Sequence, residues 1–334
     1  MSGSRSYITF NYPDATPEGQ TLLTGVREVD NAYDCHSEKV FISGFYKPGS
    51  NEPDQQVKSF VYKGKLHNQN KGRWYELYYP NSSVTNLYGP NNYKKGGISV
   101  VGNYVNENNQ PVGCLYQGKL DGSGKWTSLI PPFHNNVYGV IAHSNMGGVV
   151  VGNYDYDSEK EVGKAFIYDI KSKEYYNIEK SDTLSITAYG IWHNGYENYT
   201  ICGGYKPTVG VDFSEAGYLV DWDRKNKELY NWRVFHYNNN SILSRITHFD
   251  GITGDGKCGY NLTGDWLGIP RPGEPELAFF CNVNKKGKAK WEPIKYPSEY
   301  SLSVTSGNTV YKKNVIGVYT TPEGVNGYVS SVNK

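Results

Sequence analysis

Along this chain, apolar runs of strand length alternate with polar stretches rich in Asn, Gly and Lys, and no segment carries the three-to-four residue period of an amphipathic helix. One pattern recurs six times: an apolar run closed by Gly-x-aromatic, at Gly44-Phe45-Tyr46, Gly102-Asn103-Tyr104, Gly152-Asn153-Tyr154, Gly203-Gly204-Tyr205, Gly264-Asp265-Trp266 and Gly317-Val318-Tyr319. A second glycine precedes each motif (Gly25, Gly89, Gly139, Gly190, Gly251, Gly307), and in the four central units the separation is 13 residues. One strand, one turn and a second strand would fix such a spacing. Downstream, a small residue before a large apolar one marks a third strand: Ser59-Phe60, Cys114-Leu115, Ala165-Phe166, Gly217-Tyr218, Ala278-Phe279 and Gly327-Tyr328. A fourth strand follows as an aromatic with an apolar residue three later and often a proline, as in Trp74-Leu77-Pro80, Trp126-Leu129-Pro132 and Trp291-Ile294-Pro297, while the units at Tyr175 and Trp232 lose the proline.

The sixth unit ends at Lys334 without a fourth strand. The missing pattern stands at the other end of the chain, where Tyr7-Ile8-Thr9-Phe10-Asn11-Tyr12-Pro13 matches Trp291-Glu292-Pro293-Ile294-Lys295-Tyr296-Pro297 position for position. The pattern therefore predicts one all-β domain, a six-bladed β-propeller with four antiparallel strands per blade. Its blades fall at about 20–80, 84–132, 135–181, 185–238, 246–297 and 302–331 plus 7–13, so that an N-terminal strand closes the last blade. Closure removes the open edges that an array of strands offers to other chains. The signature from Trp291 through Gly307, Ile316-Gly317-Val318-Tyr319 and Asn326-Gly327-Tyr328 resembles the extracellular repeats named for a His-Ala-Phe tripeptide. The tripeptide itself is degenerate, surviving as Lys164-Ala165-Phe166 and Leu277-Ala278-Phe279. The resemblance implies a propeller, often a secreted one, and no particular activity.

Charge narrows the partners. Lys plus Arg number 34 against 33 Asp plus Glu, so no net field gathers nucleic acid or an anionic membrane. No apolar run approaches the roughly 20 residues of a membrane span, and the start, Met1-Ser2-Gly3-Ser4-Arg5-Ser6, has no apolar stretch of a secretory signal. The compartment stays open, since a removed signal is compatible with secretion. Four N-x-S/T sequons (Asn81, Asn198, Asn239, Asn261) add little in a chain so rich in Asn. Five scattered cysteines (Cys35, Cys114, Cys202, Cys258, Cys281) give neither a zinc spacing nor a disulfide framework. A monomer is expected.

In a blade, the first strand lines the channel, and the loops entering it share a face with those joining strands two and three. That face is the expected ligand mouth. Its longest connections run from Asn238-Asn239-Asn240-Ser241 to Arg245, from Lys206 to Glu215, and from Leu267 to Glu274 with Arg271. The positions one and three before the upstream glycine share a side: Asn86 with Tyr88, Asn136 with Tyr138, Thr187 with Tyr189, and His248 with Asp250. Leu22 with Thr24 and Val304 with Ser306 are the equivalents in the first and last blades. On one strand face, Asp250 can orient His248 and raise its basicity. This makes His248, Asp250, Tyr138 and Tyr189 the expected catalytic groups, and Asn86, Tyr88, Asn136, Thr187, Arg245 and Trp266 the expected substrate-binding ones. The Gly-x-aromatic side chains read as framework, with Trp266 singled out as the departure from tyrosine. His143 and His193 are expected toward the other face, where substitution would be nearly silent. Neither a metal nor a cofactor is expected.

The framework recurs while the polar positions differ between units, which favours one asymmetric pocket over the repeated sites of a multivalent lectin. No nucleophile elbow, phosphate loop or dinucleotide fingerprint occurs. The function expected is cofactor-independent acid/base and positioning catalysis on a small molecule, aromatic or terpenoid, by a cyclase, isomerase, lyase or cycloaddition (Diels–Alder-type) catalyst of natural-product biosynthesis. The alternative is a carbohydrate-binding lectin or a protein-interaction propeller without catalysis.

Overall fold

The computed structural model describes residues 5–15, 19–30, 39–48, 57–94, 96–156, 163–208, 215–240, 244–268, 277–300 and 303–332. All regular structure there is strand, apart from one 3₁₀ turn at Tyr237–Asn239. After β1 (Arg5–Thr9), the strands fall into antiparallel groups in chain order. The first is β2 (Gln20–Glu28), β3 (Lys39–Lys47), β4 (Lys58–Lys65) and β5 (Asn68–Glu76). The second is β6 (Thr85–Tyr93), β7 (Gly97–Val105), β8 (Pro111–Gly118) and β9 (Lys125–Leu129). The third is β10 (Tyr138–Met146), β11 (Val149–Asp155), β12 (Lys164–Asp169) and β13 (Tyr175–Ile178). In the fourth, the innermost strand is split into β14 (Thr183–Ile186) and β15 (Gly190–Gly195), followed by β16 (Asn198–Pro207), β17 (Ala216–Asp223) and β18 (Glu228–Phe235). The fifth is β19 (Ser244–Gly254), β20 (Tyr260–Gly268), β21 (Leu277–Val283) and β22 (Ala289–Ile294). The last is β23 (Thr305–Tyr311), β24 (Asn314–Thr320) and β25 (Val325–Val332), whose outer edge is covered by β1 in register Arg5↔Val332 to Thr9↔Tyr328.

The repeated glycine of the second strand has one cause throughout. Each first strand inserts an extra residue opposite it, seen as a register shift between Leu23 and Gly25, Ala142 and Ser144, or Phe249 and Gly251. A first-strand carbonyl then crowds the glycine: a Cβ at Gly102 would stand 2.0 Å from the Asn86 oxygen, and one at Gly264 1.8 Å from that of His248. Only glycine admits a backbone so close. A bulge of this kind re-aims the inserted side chain, and here it turns one residue per group toward a shared cavity.

The aromatic that follows the glycine is spent on joining groups. Tyr104 stacks on Tyr79 at 3.5 Å between ring centres, Tyr319 on Tyr296 at 3.6 Å, and Tyr46 on Tyr12 at 3.8 Å. Trp266 follows the same rule against Tyr237 at 4.4 Å, and Tyr205 receives the Lys180 ammonium at 4.8 Å from its ring centre. Each contact ties the end of one group's last strand to the second strand of the next, contributing about 0.5–1.5 kcal/mol beyond area burial. The outer-strand aromatics fill the space beneath, with Trp291 packed on Phe279 at 5.0 Å and Trp74 on Phe60 at 4.9 Å. Cys114, Cys202 and Cys281 are buried free thiols within these strands, whereas Cys35 lies outside the described residues.

Candidate active site

The six inserted positions are Thr24, Tyr88, His143, Tyr189, Asp250 and Asn308, and all six line one cavity of about 400 Å³. Leu22, Phe45, Ile246, His248 and Asp265 complete its wall at the end where first strands begin and second strands finish. Two of the inserted side chains stitch neighbouring groups together: Thr24 Oγ1 donates to the Leu87 carbonyl at 2.6 Å and Asn308 Nδ2 to that of Leu23 at 2.7 Å. The others make an arc of rings. Phe45 meets Tyr88 at 6.2 Å, Tyr88 meets His143 at 5.0 Å, His143 stacks on Tyr189 at 3.8 Å, and Tyr189 stands edge-on to His248 at 4.5 Å. Asp250 and Asp265 come from the fifth group, so aromatic and acidic lining lie on different sectors of the wall.

His248 is fixed at both nitrogens, with Nδ1 2.7 Å from Asp250 Oδ1 and Nε2 2.6 Å from Thr187 Oγ1. Its ring fits because position 204 is glycine; a Cβ there would stand 2.3 Å from His248 Cδ2. Thr187 Oγ1 lies 3.1 Å from the Gly204 carbonyl, to which it can donate while accepting from a protonated Nε2. Burial penalises the charged imidazole, but the carboxylate of Asp250, with Asp265 and Glu215 adding to it, outweighs that cost and holds His248 above the ordinary imidazole range. His143 is opposite in character. Burial, with the nearby charge of His248, pushes it down to about 3, so it stays neutral. Burial also pushes the Tyr88 phenol up to about 12, and burial with the charge of Asp250 raises Tyr189 further. Among the described residues, neither hydroxyl has a hydrogen-bond partner, which leaves both as donors toward the cavity.

The depressed His143 has a measurable consequence. A group kept neutral by folding stabilises the protein above its unfolded value near 6.5, and that stability drains away as pH falls from there toward 3. His248, raised, works in the other direction and loses its contribution only as pH climbs through its folded value. The melting temperature is therefore expected to fall steeply on the acid side, and less steeply in His143→Gln. Parallel acid limbs in the two proteins would refute this account.

Of the residues picked out by sequence, Tyr88, Tyr189, His248 and Asp250 line the cavity. Asn86 and Thr187 sit two positions before Tyr88 and Tyr189 on the bulged strands, with their carbonyls against Gly102 and Gly203, and Thr187 holds His248 in place. Arg245 is exposed and outside the wall, and Trp266 is committed to its stack with Tyr237. Tyr138 and Asn136 fall outside the wall. The third hairpin has shorter arms than its neighbours, reversing at Gly147 and Gly148 with φ of 60° and 84° soon after the inserted position, so the cavity residue is His143 and the counterpart of Gly89 is Ser144. Gly139 matches the 13-residue spacing by coincidence, and Tyr138 pairs with Asp155 at the start of its strand. The Gly-Gly dipeptide, a two-residue hairpin signal, was the available clue. His143 thus lines the cavity instead of the other face, while His193 lies on the surface with Nε2 2.7 Å from the Tyr196 carbonyl. In the last group the bulge likewise moves the pair from Val304 and Ser306 to Ser306 and Asn308. Arg271 and most of the two long connections around 209–214 and 269–276 lie outside the described residues.

No family model matches the chain, and no curated protein matches it in sequence, so the likeness to His-Ala-Phe repeats rests on the quoted residues alone. Solved structures do resemble it. An α-L-arabinofuranosidase of Fusarium graminearum, in complex with an iminosugar inhibitor, aligns with a TM-score of 0.54 at 13% identity over 98% of this chain and 97% of its own. A luciferin-regenerating enzyme gives 0.52 at 9% identity over 98% and 95%. A Trypanosoma rangeli sialidase with sialic acid gives 0.53 at 9% identity over 98% of this chain and 57% of its own. At such identities the likeness is one of fold: the chain is an all-β protein with β-propeller neighbours.

Proposed function

We propose that the six groups are six blades around a single channel closed by β1, and that the cavity at its mouth binds one small organic molecule per monomer. On this reading the chain is a cofactor-independent proton-transfer and positioning catalyst of the isomerase, lyase or cyclase kind, Diels–Alder-type cycloaddition included, acting on an aromatic or terpenoid ligand. The observation that carries it is the pair of histidines in one wall with opposite surroundings, Asp250 bonded to His248 and raising it while burial lowers His143, since environments that drive like groups apart are how acid and base roles are separated. His248, anchored by Asp250 and Thr187, would in its protonated form set a positive charge beside negative charge developing on the ligand. Tyr88 and Tyr189 supply the hydrogen-bond donors, and the ring arc supplies a flat apolar wall. A volume of about 400 Å³ is in the range of small-molecule sites.

Carbohydrate binding is the second reading, supported by Asp250 and Asp265 in the same wall and by fold neighbours that include a Penicillium chrysogenum α-L-arabinanase with arabinobiose bound (TM-score 0.50, 15% identity, 98% of each chain). Titration calorimetry with 1-naphthol and with arabinobiose separates the two. One naphthol per chain, lost in Tyr88→Ala, is expected. Arabinobiose binding without naphthol binding, or several equivalent sites per chain, would overturn the first reading.

A further inference from the structure

The channel does not end at the cavity floor. Thr24, His143, Tyr189 and Asp250 also line a second, smaller chamber of about 20 Å³ on the far side, together with Arg27, Ser144 and Thr309. That volume holds about one water-sized particle. Two buried nitrogens on its wall, Nε of Arg27 and Nε2 of His143, have no hydrogen-bond partner. The Arg27 guanidinium lies 5.6 Å from the ring centre of Trp192, and no carboxylate among the described residues is within ion-pair distance of it. Glu28, its chain neighbour, is directed to Lys312 at 3.6 Å. Asp250, the one carboxylate of the chamber wall, is engaged by His248 Nδ1 at 2.7 Å.

A guanidinium whose buried Nε has no partner, and which meets no counter-charge among the described residues, stands here beside an unsatisfied ring nitrogen, and burying such groups is unfavourable unless something accepts from both. We propose that this chamber binds one small monovalent anion of the halide class, held by Arg27 and by an N–H of neutral His143, with the hydroxyls of Ser144 and Thr309 on the same wall. The burial that pushes Arg27 down to about 10 is what such an anion would relieve. The inference concerns the far side of the floor and stands whether or not the mouth is catalytic.

The test is thermal unfolding of the full chain at constant ionic strength while sodium bromide replaces sodium gluconate, whose anion is too large for the chamber. A saturable rise of roughly 2 to 4 °C is expected, as for a ligand bound only by the folded state. Arg27→Gln should abolish the rise and Arg27→Lys, which keeps the charge, should retain part of it. Should Arg27→Gln not fold, the Lys variant and an anomalous bromide peak between Arg27 and His143 in a soaked crystal carry the test. Equal stabilisation by gluconate, an unaltered rise in Arg27→Gln, or a chamber occupied by water in bromide-soaked crystals would overturn the proposal.

Discussion

Removal of residues 1–13 leaves a chain that does not fold to a soluble native state. Five register pairs between β1 and β25 go with it, and β25 becomes an open edge. The larger loss is packing. Phe10 is fully buried, its N–H donates to the Gly327 carbonyl at 2.8 Å, and its ring meets Tyr62 at 5.0 Å and Trp74 at 5.6 Å. Tyr12 stacks on Tyr46, Arg5 pairs with Glu292 at 2.6 Å, and Asn11 bridges to Asn326 at 2.7 Å. Truncating one buried aromatic costs about 3–5 kcal/mol, and two are lost here from a protein whose whole stability is about 5–15 kcal/mol. Circular-dichroism melts and size exclusion of the truncated protein check this. A truncated chain that elutes and melts like the full one would show that β1 is an accessory strand.

The second large effect is on turnover. With a substrate in hand, His248→Gln and Asp250→Asn are each expected to lower kcat by about 10² to 10⁴, the range for an acid/base group or one that stabilises charge developing in the transition state. Tyr189→Phe keeps the ring that stacks on His143 and removes one donor, so a smaller loss is expected. Gly204→Ala is the informative control, because it touches no ligand yet drives a methyl into the His248 ring. It should fall with His248→Gln. Full activity in the His248 variant would remove the imidazole from the mechanism and move attention to the two tyrosines.

The local pattern determined a great deal. Period-two apolar runs, the recurring glycine and the small-large pair placed the four strand types correctly, because each follows from contacts within a hairpin or between adjacent strands. The match of residues 7–13 to residues 291–297 located the partner of β25, since both segments bury an apolar residue, Phe10 or Ile294, and stack a tyrosine, Tyr12 or Tyr296, on the aromatic of a second strand. The inserted channel residues were legible wherever the hairpin kept its length: Tyr88, Tyr189 and Asp250 all precede the glycine of the 13-residue spacing. What only the tertiary structure decided was which residue each bulge turns inward when the hairpin length changes. Spacing along the chain cannot separate Tyr138 from His143; the carbonyl of Ile141 against Gly152 does, by fixing the register from across the sheet. The charge states of the two histidines were likewise beyond the sequence. His143 and His248 are the same residue type, and their opposite shifts come from surroundings, burial with the charge of His248 for one and the bonded Asp250 carboxylate for the other, that exist only when separate strands meet at one cavity.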